Sequence, residues 1–199
     1  MRAAGGLCIA DEVQTGLGRL GDWFWAFESQ GVVPDVVTVA KATGNGIPVG
    51  AVITTRAVAD AFGADGSFFS SVGGSPVSAV AGLAVLDAIE AEDLQGAARR
   101  VGAHLWSRLE RLVERFPLCG AVHGLGLYLG LELVRDRVLL TPATEEAAAI
   151  CERARELGVV IQPTGDGANV LKVKPPLSLS LADADHLVDT LERILDDGW

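Results

Sequence analysis

Several residue types that build binding sites are scarce in this chain of 199 residues. The cysteines are Cys8, Cys119 and Cys151, and no two of them form a CxxC pair, which favours free thiols in a reducing compartment over a disulfide framework. The three histidines do not share a helical turn, so the sequence predicts no zinc or iron site.

Positive charge and long apolar runs are also lacking. Asp and Glu number 26 against 16 Lys and Arg, and the net charge of −10 excludes nucleic acid or an anionic membrane surface as a predicted partner. No run reaches the roughly 18 apolar residues of a membrane helix. The first residues resemble a short signal peptide, but Asp11 and Glu12 interrupt the apolar stretch, so we predict no export and a cytoplasmic location.

The chain does contain short apolar runs that end in a charge. Asp11 closes the run 6–10 (GLCIA), and Lys41 closes the run 35–40 (DVVTVA). Such runs predict strands of a parallel sheet, buried on both faces, and ligands gather beyond the carboxyl ends of these strands. An acid and a desolvated amine facing one crevice are what pyridoxal phosphate chemistry requires.

The order of predicted elements indicates an α/β protein with two domains. Strands are expected in the two runs above and over 50–55, 123–134, 159–163 and 169–175; helices are expected over 22–31, 55–62, 70–95, 94–116 and 141–158, and at the C-terminus. Ser75, Thr141 and Ser180 are predicted helix caps. We place a boundary between residues 1–94 and a helix-plus-sheet domain over 95–199.

Other readings remain open for each candidate residue. Lys41 is also explained as a surface lysine that begins a loop, and Asp11 as the partner of Lys41 or Arg19 in an ion pair. The segment 70–76 (SSVGGSP) offers backbone N–H groups to a phosphate, or is an ordinary helix start. Lys172 and Lys174 alternate on a predicted strand, where either could anchor an anion or be solvated.

Three motifs together resemble the class-III (ω-type) pyridoxal-phosphate aminotransferases of fold type I. They are DEVQTGLGRLG (11–21), VAKATGNGIPVGAV (39–52) and SSVGGSPVSAVAGLAVLDAI (70–89), in the family's order. The likeness continues through HGLGLYLGLEL (123–133) and LKVKPPLSLS (171–180). It implies the end of a large cofactor domain, a mostly parallel sheet with helices, followed by a small α+β domain.

The resemblance also implies roles for single residues. Lys41 stands where the family has its Schiff-base lysine, and Asp11 where it has the carboxylate on the pyridine nitrogen of pyridoxal 5'-phosphate. Val13 matches the residue packed on the cofactor ring, and Gln14 the contact to its phenolic oxygen. Ser71 replaces a threonine that reaches the cofactor phosphate of the neighbouring subunit, which implies a homodimer of the intact parent.

The chain departs from the family's pattern in two respects, the residues expected to bind the substrate and the length of the chain. Lys172 lies where many members hold a substrate carboxylate with arginine, and His123 replaces the arginine of an RGxG motif, so the role of that position is open. The likeness covers the C-terminal half of the family only. It therefore implies a truncated product that retains its cofactor weakly.

The expected activity is amino transfer between an amine or amino acid and an oxo acid. Within the family, the segments 23–28 (WFWAFE), 141–148 (TPATEEAA) and 169–180 (NVLKVKPPLSLS) look closest to phospho-lyases that act on phosphoethanolamine or phosphohydroxylysine. Elimination of phosphate is thus an alternative activity. A non-catalytic remnant is a further alternative.

Overall fold

The structure is a computed structural model that describes residues 1–66 and 68–199. It divides into two compact units, Met1–Gln95 and Gly96–Trp199. The boundary differs by one residue from the one expected from sequence. The assignment of the units to a cofactor domain and a small domain stays a prediction.

The first unit contains a sheet in the order β1-β2-β3, formed by β1 (Ile9–Asp11), β2 (Val36–Val39) and β3 (Ala51–Thr54). β1 and β2 are parallel, with Ile9 opposite Val36 and Asp11 opposite Thr38, and β3 is antiparallel to β2. The prediction that both runs form strands of a parallel sheet is confirmed, and the structure makes these strands neighbours. Their carboxyl ends therefore meet at one edge of the sheet.

Two helices of this unit follow the sheet in sequence. α1 (Arg56–Asp65) begins after Thr55, whose side chain accepts a hydrogen bond from the Val58 N–H at 3.4 Å. α2 (Pro76–Ala91) has Ser75 at its cap position and Pro76 in its first turn, which confirms the predicted helix start. The Ser75 side chain makes no capping hydrogen bond to the described residues.

The strands of the first unit are less buried than their apolar sequences predict. Val37 and Val39 of β2 are buried, but Ile9 of β1 is 63% exposed and Val52 of β3 is 65% exposed. The expectation of burial on both faces was made for the runs of β1 and β2, and it is wrong for β1. An apolar run shows only that its side chains favour burial. Whether a strand is buried depends on a second layer of structure that packs against it.

The second unit is built on an antiparallel sheet of order β4-β5-β8-β7. Its strands are β4 (Cys119–Leu125), β5 (Tyr128–Asp136), β6 (Thr141–Pro142, paired with β5), β7 (Gln162–Thr164) and β8 (Val170–Val173). Its helices are α3 (Leu94–Arg115, which begins in the last residues of the first unit), α4 (Thr144–Glu156) and α5 (Leu181–Asp197).

Helices and sheet of the second unit enclose one apolar core. Its largest fully buried side chains include Leu105, Leu109, Leu131, Leu133, Ile150, Leu171, Leu191 and Ile194. The predicted cap of α5 is confirmed, since Ser180 and Asp183 exchange hydrogen bonds in a capping box. Of the helices in the described ranges, none is long and apolar enough to cross a bilayer.

Arg137 closes the C-terminal end of α3. Its guanidinium donates to the backbone carbonyl oxygens of Val113, Phe116 (2.9 Å), Pro117 (3.2 Å) and Cys119 (2.7 Å). These oxygens belong to a helix terminus and to the turn that follows it, where carbonyl groups have no helical partner. Arg137 therefore joins α3 to the start of β4.

Two predicted helix starts differ from the structure. Thr141 does not cap α4, because Pro142 pairs with Val134 as part of β6 and the helix begins only at Thr144. The aromatic segment 22–31 forms a 3₁₀ turn at Ala26–Gln30 and no α-helix. The single predicted strand over 123–134 is two strands, β4 and β5, joined by a tight turn.

Candidate active site

Lys41 lies just after β2, separated from the strand's last residue by Ala40. The lysine starts a 3₁₀ turn, Lys41–Gly44, which is held by hydrogen bonds from the Thr43 N–H and hydroxyl to the Ala40 carbonyl, both at 3.1 Å. Its φ of +49° lies in the left-handed region, which costs a residue with a side chain about 1 kcal/mol or more. Strained backbone of this kind concentrates at functional sites.

The environment of Lys41 is more open than its sequence predicts. The residue is exposed, so the described residues do not desolvate the amine, and that expectation is wrong for this structure. Within the described part of the chain the ammonium also forms no ion pair. It remains available to a ligand.

Asp11 ends β1, one strand away from Lys41. Its Oδ1 accepts hydrogen bonds from the Val13 N–H at 3.1 Å and from the Thr38 hydroxyl at 3.3 Å. Both donors bind the same oxygen, and no described residue donates to Oδ2. Asp11 forms no ion pair with the described residues either, so the alternative of a pair with Lys41 or Arg19 is not observed. The carboxylate is oriented and keeps one oxygen for another donor.

The strand register gives the positions of these two residues along the sheet. Asp11 lies opposite Thr38, and Lys41 is three residues further along. β2 ends at Val39, one residue after Thr38, and adjacent strands lie about 4.8 Å apart. Asp11 thus ends one strand, and Lys41 follows the end of its parallel neighbour, at the same edge of the sheet.

A cleft of about 1160 Å³ opens beside Lys41. It is lined by Lys41, the loop Gly46–Gly50, the aromatic pair Phe68 and Phe69, and the residues that lead into α2, among them Gly73, Gly74 and Ser75. The N-terminus of α2 presents N–H groups without helical partners, and the helix dipole favours an anion there. One cleft therefore combines a primary amine with a place for a phosphate.

These features fit pyridoxal 5'-phosphate, which carries an aldehyde, a ring nitrogen and a phosphate. The amine of Lys41 matches the aldehyde, the free oxygen of Asp11 matches the ring nitrogen, and the glycines before α2 let a phosphate approach the backbone. By contrast, no cluster of three or more possible metal ligands occurs among the described residues.

The remaining predicted site residues are not all gathered at this cleft. Val13 and Gln14 are half-buried in the loop after β1, and Ser71 is exposed; like Asp11, none of these three is among the lining residues that the structure describes. Lys172 lies in the second unit, in the middle of its sheet on β8. The roles predicted for these four residues, and those predicted for Lys41 and Asp11, stay predictions.

Glu12 is a residue that the motif analysis does not single out. It is 4% exposed, and its carboxylate accepts hydrogen bonds from the Thr15 hydroxyl (2.9 Å) and from the N–H groups of Ala26 (3.0 Å) and Phe27 (2.9 Å). The signal available in the sequence was an acid next to Asp11 at the end of an apolar run. Glu12 fixes the loop that carries Val13 and Gln14.

Comparisons with known protein families and sequences agree on one family. The family model "Aminotransferase class-III" matches residues 2–195. The chain is 49% identical over 96% of its length to alanine–glyoxylate aminotransferase 2 homolog 2, mitochondrial, of Arabidopsis thaliana, and 37% identical over 98% to alanine–glyoxylate aminotransferase 2, mitochondrial, of Homo sapiens. It spans 40% and 38% of those proteins, respectively.

Solved structures agree with this result. A phospholyase from Arthrobacter in complex with phosphoethanolamine superimposes with a TM-score of 0.95 at 41% identity, covering 100% of this chain and 47% of that one. A pyridoxal-phosphate-bound amine transaminase from an uncultivated Pseudomonas species gives 0.89 at 38% identity, covering 98% and 46%. The predicted fold, a partial fold-type-I transferase, is confirmed.

The predicted location is the exception. The names of the Arabidopsis thaliana and Homo sapiens relatives describe them as mitochondrial. The prediction of a cytoplasmic location is therefore wrong. It was based on scarce cysteines and a rejected signal peptide, and neither observation distinguishes between two reducing compartments.

Proposed function

Since the chain belongs to the class-III aminotransferase family, we propose that it serves pyridoxal-phosphate-dependent transfer of an amino group between an amine or amino acid and an oxo acid. The observation that carries this proposal is the position of Lys41. It follows the end of β2, the parallel neighbour of the strand that ends in Asp11, and it lines a cleft shared with the N-terminus of α2. The chain spans less than half of its relatives, so the activity is proposed for the intact protein.

Pyridoxal phosphate, when bound, supplies an aldehyde that condenses with amines and a ring that accepts electrons from the substrate carbon. Lys41 would hold the aldehyde carbon through Nζ and then carry a proton on the same nitrogen. Asp11, oriented by Val13 and Thr38, would accept a hydrogen bond from the ring nitrogen and keep it protonated. Val13 would pack on the ring, and Gln14 would contact its phenolic oxygen.

The phosphate would be held by N–H groups and hydroxyls around the start of α2. Ser71 is exposed there, and it is not among the described residues that line the cleft of its own chain. We assign its hydroxyl to the phosphate of a second copy, which makes the intact protein a homodimer. The amino-acid or amine substrate would be oriented by Lys172.

Chemical trapping tests the role of Lys41. The chain is incubated with pyridoxal phosphate, reduced with borohydride and digested, and the peptides are mapped by mass spectrometry. Its lysines are Lys41, Lys172 and Lys174. We expect the phosphopyridoxyl group on the peptide that contains Lys41. The visible absorption band of the lysine-bound cofactor should be lost in Lys41→Ala. The matched variant Lys174→Ala should keep the band. Label distributed evenly over the three lysines, or an unchanged band in Lys41→Ala, would contradict the proposal.

Phosphate elimination is a second candidate because a similar structure was solved with phosphoethanolamine bound. Lys172 adds support, since a lysine serves a phosphate as a point charge whereas a planar carboxylate favours arginine. The intact protein is incubated with phosphoethanolamine, and inorganic phosphate is measured; in parallel, alanine and glyoxylate are supplied, and glycine is measured. Phosphate release without glycine would favour the lyase, and glycine without phosphate would favour the aminotransferase.

A further inference from the structure

Thr38 has a neighbour on each side in the sheet of the first unit. It lies opposite Asp11 of β1 and opposite Val52 of β3. These three residues form one row across the sheet, called the Thr38 row below. Only one of the two neighbours can accept a hydrogen bond, because the Val52 side chain is aliphatic. Within the row, the acid is therefore the partner for the threonine hydroxyl.

The Thr38 row lies on the open face of the sheet. Val37 and Val39, which flank Thr38 along β2, are buried. Because side chains alternate along a strand, Thr38 points to the other face. On that face Asp11 is exposed and Val52 is 65% exposed. The hydroxyl and the carboxylate therefore meet where a ligand can approach from solvent.

Both hydrogen bonds that Asp11 accepts end on one oxygen. Oδ1 accepts from the Val13 N–H at 3.1 Å and from the Thr38 hydroxyl at 3.3 Å, and no described residue donates to Oδ2. The terminal torsion of an aspartate is soft, so a single hydrogen bond to Oδ1 leaves the carboxylate plane free to turn. A second donor on the adjacent strand restricts this rotation. Thr38 therefore sets the direction in which Oδ2 faces.

The two donors also preserve the charge of the carboxylate. The Val13 amide and the Thr38 hydroxyl are both neutral, and Asp11 forms no ion pair within the described part of the chain. A lysine or an arginine could orient a carboxylate as well, but its positive charge would offset the negative one. The hydroxyl orients Asp11 and leaves its full charge for a cationic group of a ligand.

We propose that Thr38 is a positioning residue, whose hydroxyl holds Asp11 so that Oδ2 accepts a hydrogen bond from the protonated ring nitrogen of pyridoxal phosphate. Groups that touch a ligand need a supporting layer of hydrogen bonds to fix them. The inference rests on the proposed function, which supplies the role of Asp11. It adds that the hydroxyl at position 38 matters for the reaction, whereas the β-branched shape of threonine serves the strand.

Variants that separate the hydroxyl from the shape of Thr38 test this role. Thr38→Val keeps the branched side chain and removes the hydroxyl, and Thr38→Ser keeps the hydroxyl and removes the methyl group. The intact protein is loaded with pyridoxal phosphate that carries ¹⁵N in its ring, and nuclear magnetic resonance reports whether that nitrogen is protonated. We expect Thr38→Ser to match wild type. The signal of Thr38→Val should shift towards that of an unprotonated pyridine.

Steady-state kinetics give a second measurement. The loss of one hydrogen bond to a carboxylate should lower kcat about five- to tenfold in Thr38→Val. The KM for the amino donor should stay unchanged, because Thr38 acts through Asp11 and not on the substrate. Thr38→Ala is a second variant without the hydroxyl, and it should change the ¹⁵N signal and kcat in the same direction.

Thr54→Val is the matched control. Thr54 lies on β3, and its hydroxyl donates to the Asp35 carbonyl oxygen at 2.7 Å. The replacement removes a threonine hydroxyl from the same sheet without changing Asp11. We expect the ¹⁵N signal and kcat of this variant to match wild type. Circular dichroism and urea unfolding verify that each variant is folded.

The remaining outcomes distinguish this inference from the proposed function. An unchanged ¹⁵N signal in Thr38→Val and Thr38→Ala, or equal effects of Thr38→Val and Thr38→Ser, would overturn the positioning role. If borohydride still traps pyridoxal phosphate on Lys41 in those variants, the proposed function stands and only the role of Thr38 is wrong. Absence of trapping on Lys41 in the wild type would overturn both.

Discussion

The buried carboxylate of Glu12 connects the end of β1 to the aromatic segment that follows. It receives hydrogen bonds from one hydroxyl and two backbone N–H groups, so both of its oxygens are used. These hydrogen bonds replace the ones that water would make to the Glu12 carboxylate, because the residue is only 4% exposed. Asp11, the neighbouring residue, is exposed and keeps an oxygen free for a ligand. Adjacent acids thus have different roles, one structural and one available for chemistry.

Replacing Glu12 tests this division. Glu12→Ala leaves the Ala26 and Phe27 N–H groups without their acceptor, and we expect a loss of about 2 kcal/mol in the free energy of unfolding. Amide hydrogen exchange at Ala26 and Phe27 should accelerate, while urea unfolding measures the total loss. Glu90→Ala, at an exposed position of α2, is the control. Unchanged exchange at the two amides would show that the carboxylate does not hold the loop.

At the scale of elements, α3 and α5 are joined by a row of charges. Asp185 of α5 accepts hydrogen bonds from His104 Nε2 at 2.7 Å and from Arg108, and Arg108 also contacts Asp189. Further along α3, Arg115 donates a hydrogen bond to Asp196 at 2.7 Å. The hydrogen bond from His104, followed by the contact with Arg108, lowers the pKa of Asp185, while desolvation opposes this shift.

The sign of the resulting pH dependence follows from this lowered pKa. In the unfolded chain Asp185 takes up a proton near its ordinary value of 3.8, and in the folded protein it does so at a lower pH. Its contribution to stability is therefore present above about pH 4 and is lost as the pH falls through the folded pKa. Acid should weaken the contact between α3 and α5.

Urea unfolding of wild type and Asp185→Asn, followed by circular dichroism between pH 6 and pH 3, measures the effect. We expect the variant to be less stable than wild type at pH 6 and the two curves to converge below pH 4. Asp166→Asn is the control, since Asp166 lies in an exposed loop and forms no ion pair with the described residues. Parallel curves for wild type and Asp185→Asn over the whole range would contradict the prediction.

At the scale of the whole molecule, local sequence was sufficient for much of the fold. The parallel pair β1 and β2, the start of α2 at Ser75, the extent of α3 and the capping box at Ser180 were all predictable. Each depends on residues within one or two turns of chain, such as an apolar run, a proline in the first turn or a serine three residues before an acid. Lys41 and Asp11 were found in the same way, because each closes a short apolar run.

Features that depend on distant pairing were not predictable. Thr141 and Pro142 looked like a helix start but pair with β5 instead, and the aromatic segment near Trp25 is held by Glu12 and does not form an α-helix. The exposure of Lys41 also differs from the expectation, since burial depends on which layer covers a strand end. A sequence window contains neither the partner strand nor the covering layer.

The sequence by itself determined where strands end and which charges follow them, because these are local properties of apolar runs and turns. Only the tertiary structure decided that Asp11, Thr38 and Val52 share one row, that Glu12 is buried, and that the glycines before α2 lie beside Lys41. The physical reason is strand register. A shift of one residue in pairing turns every side chain of a strand to the opposite face, and hydrogen bonds between residues far apart in the chain set that register.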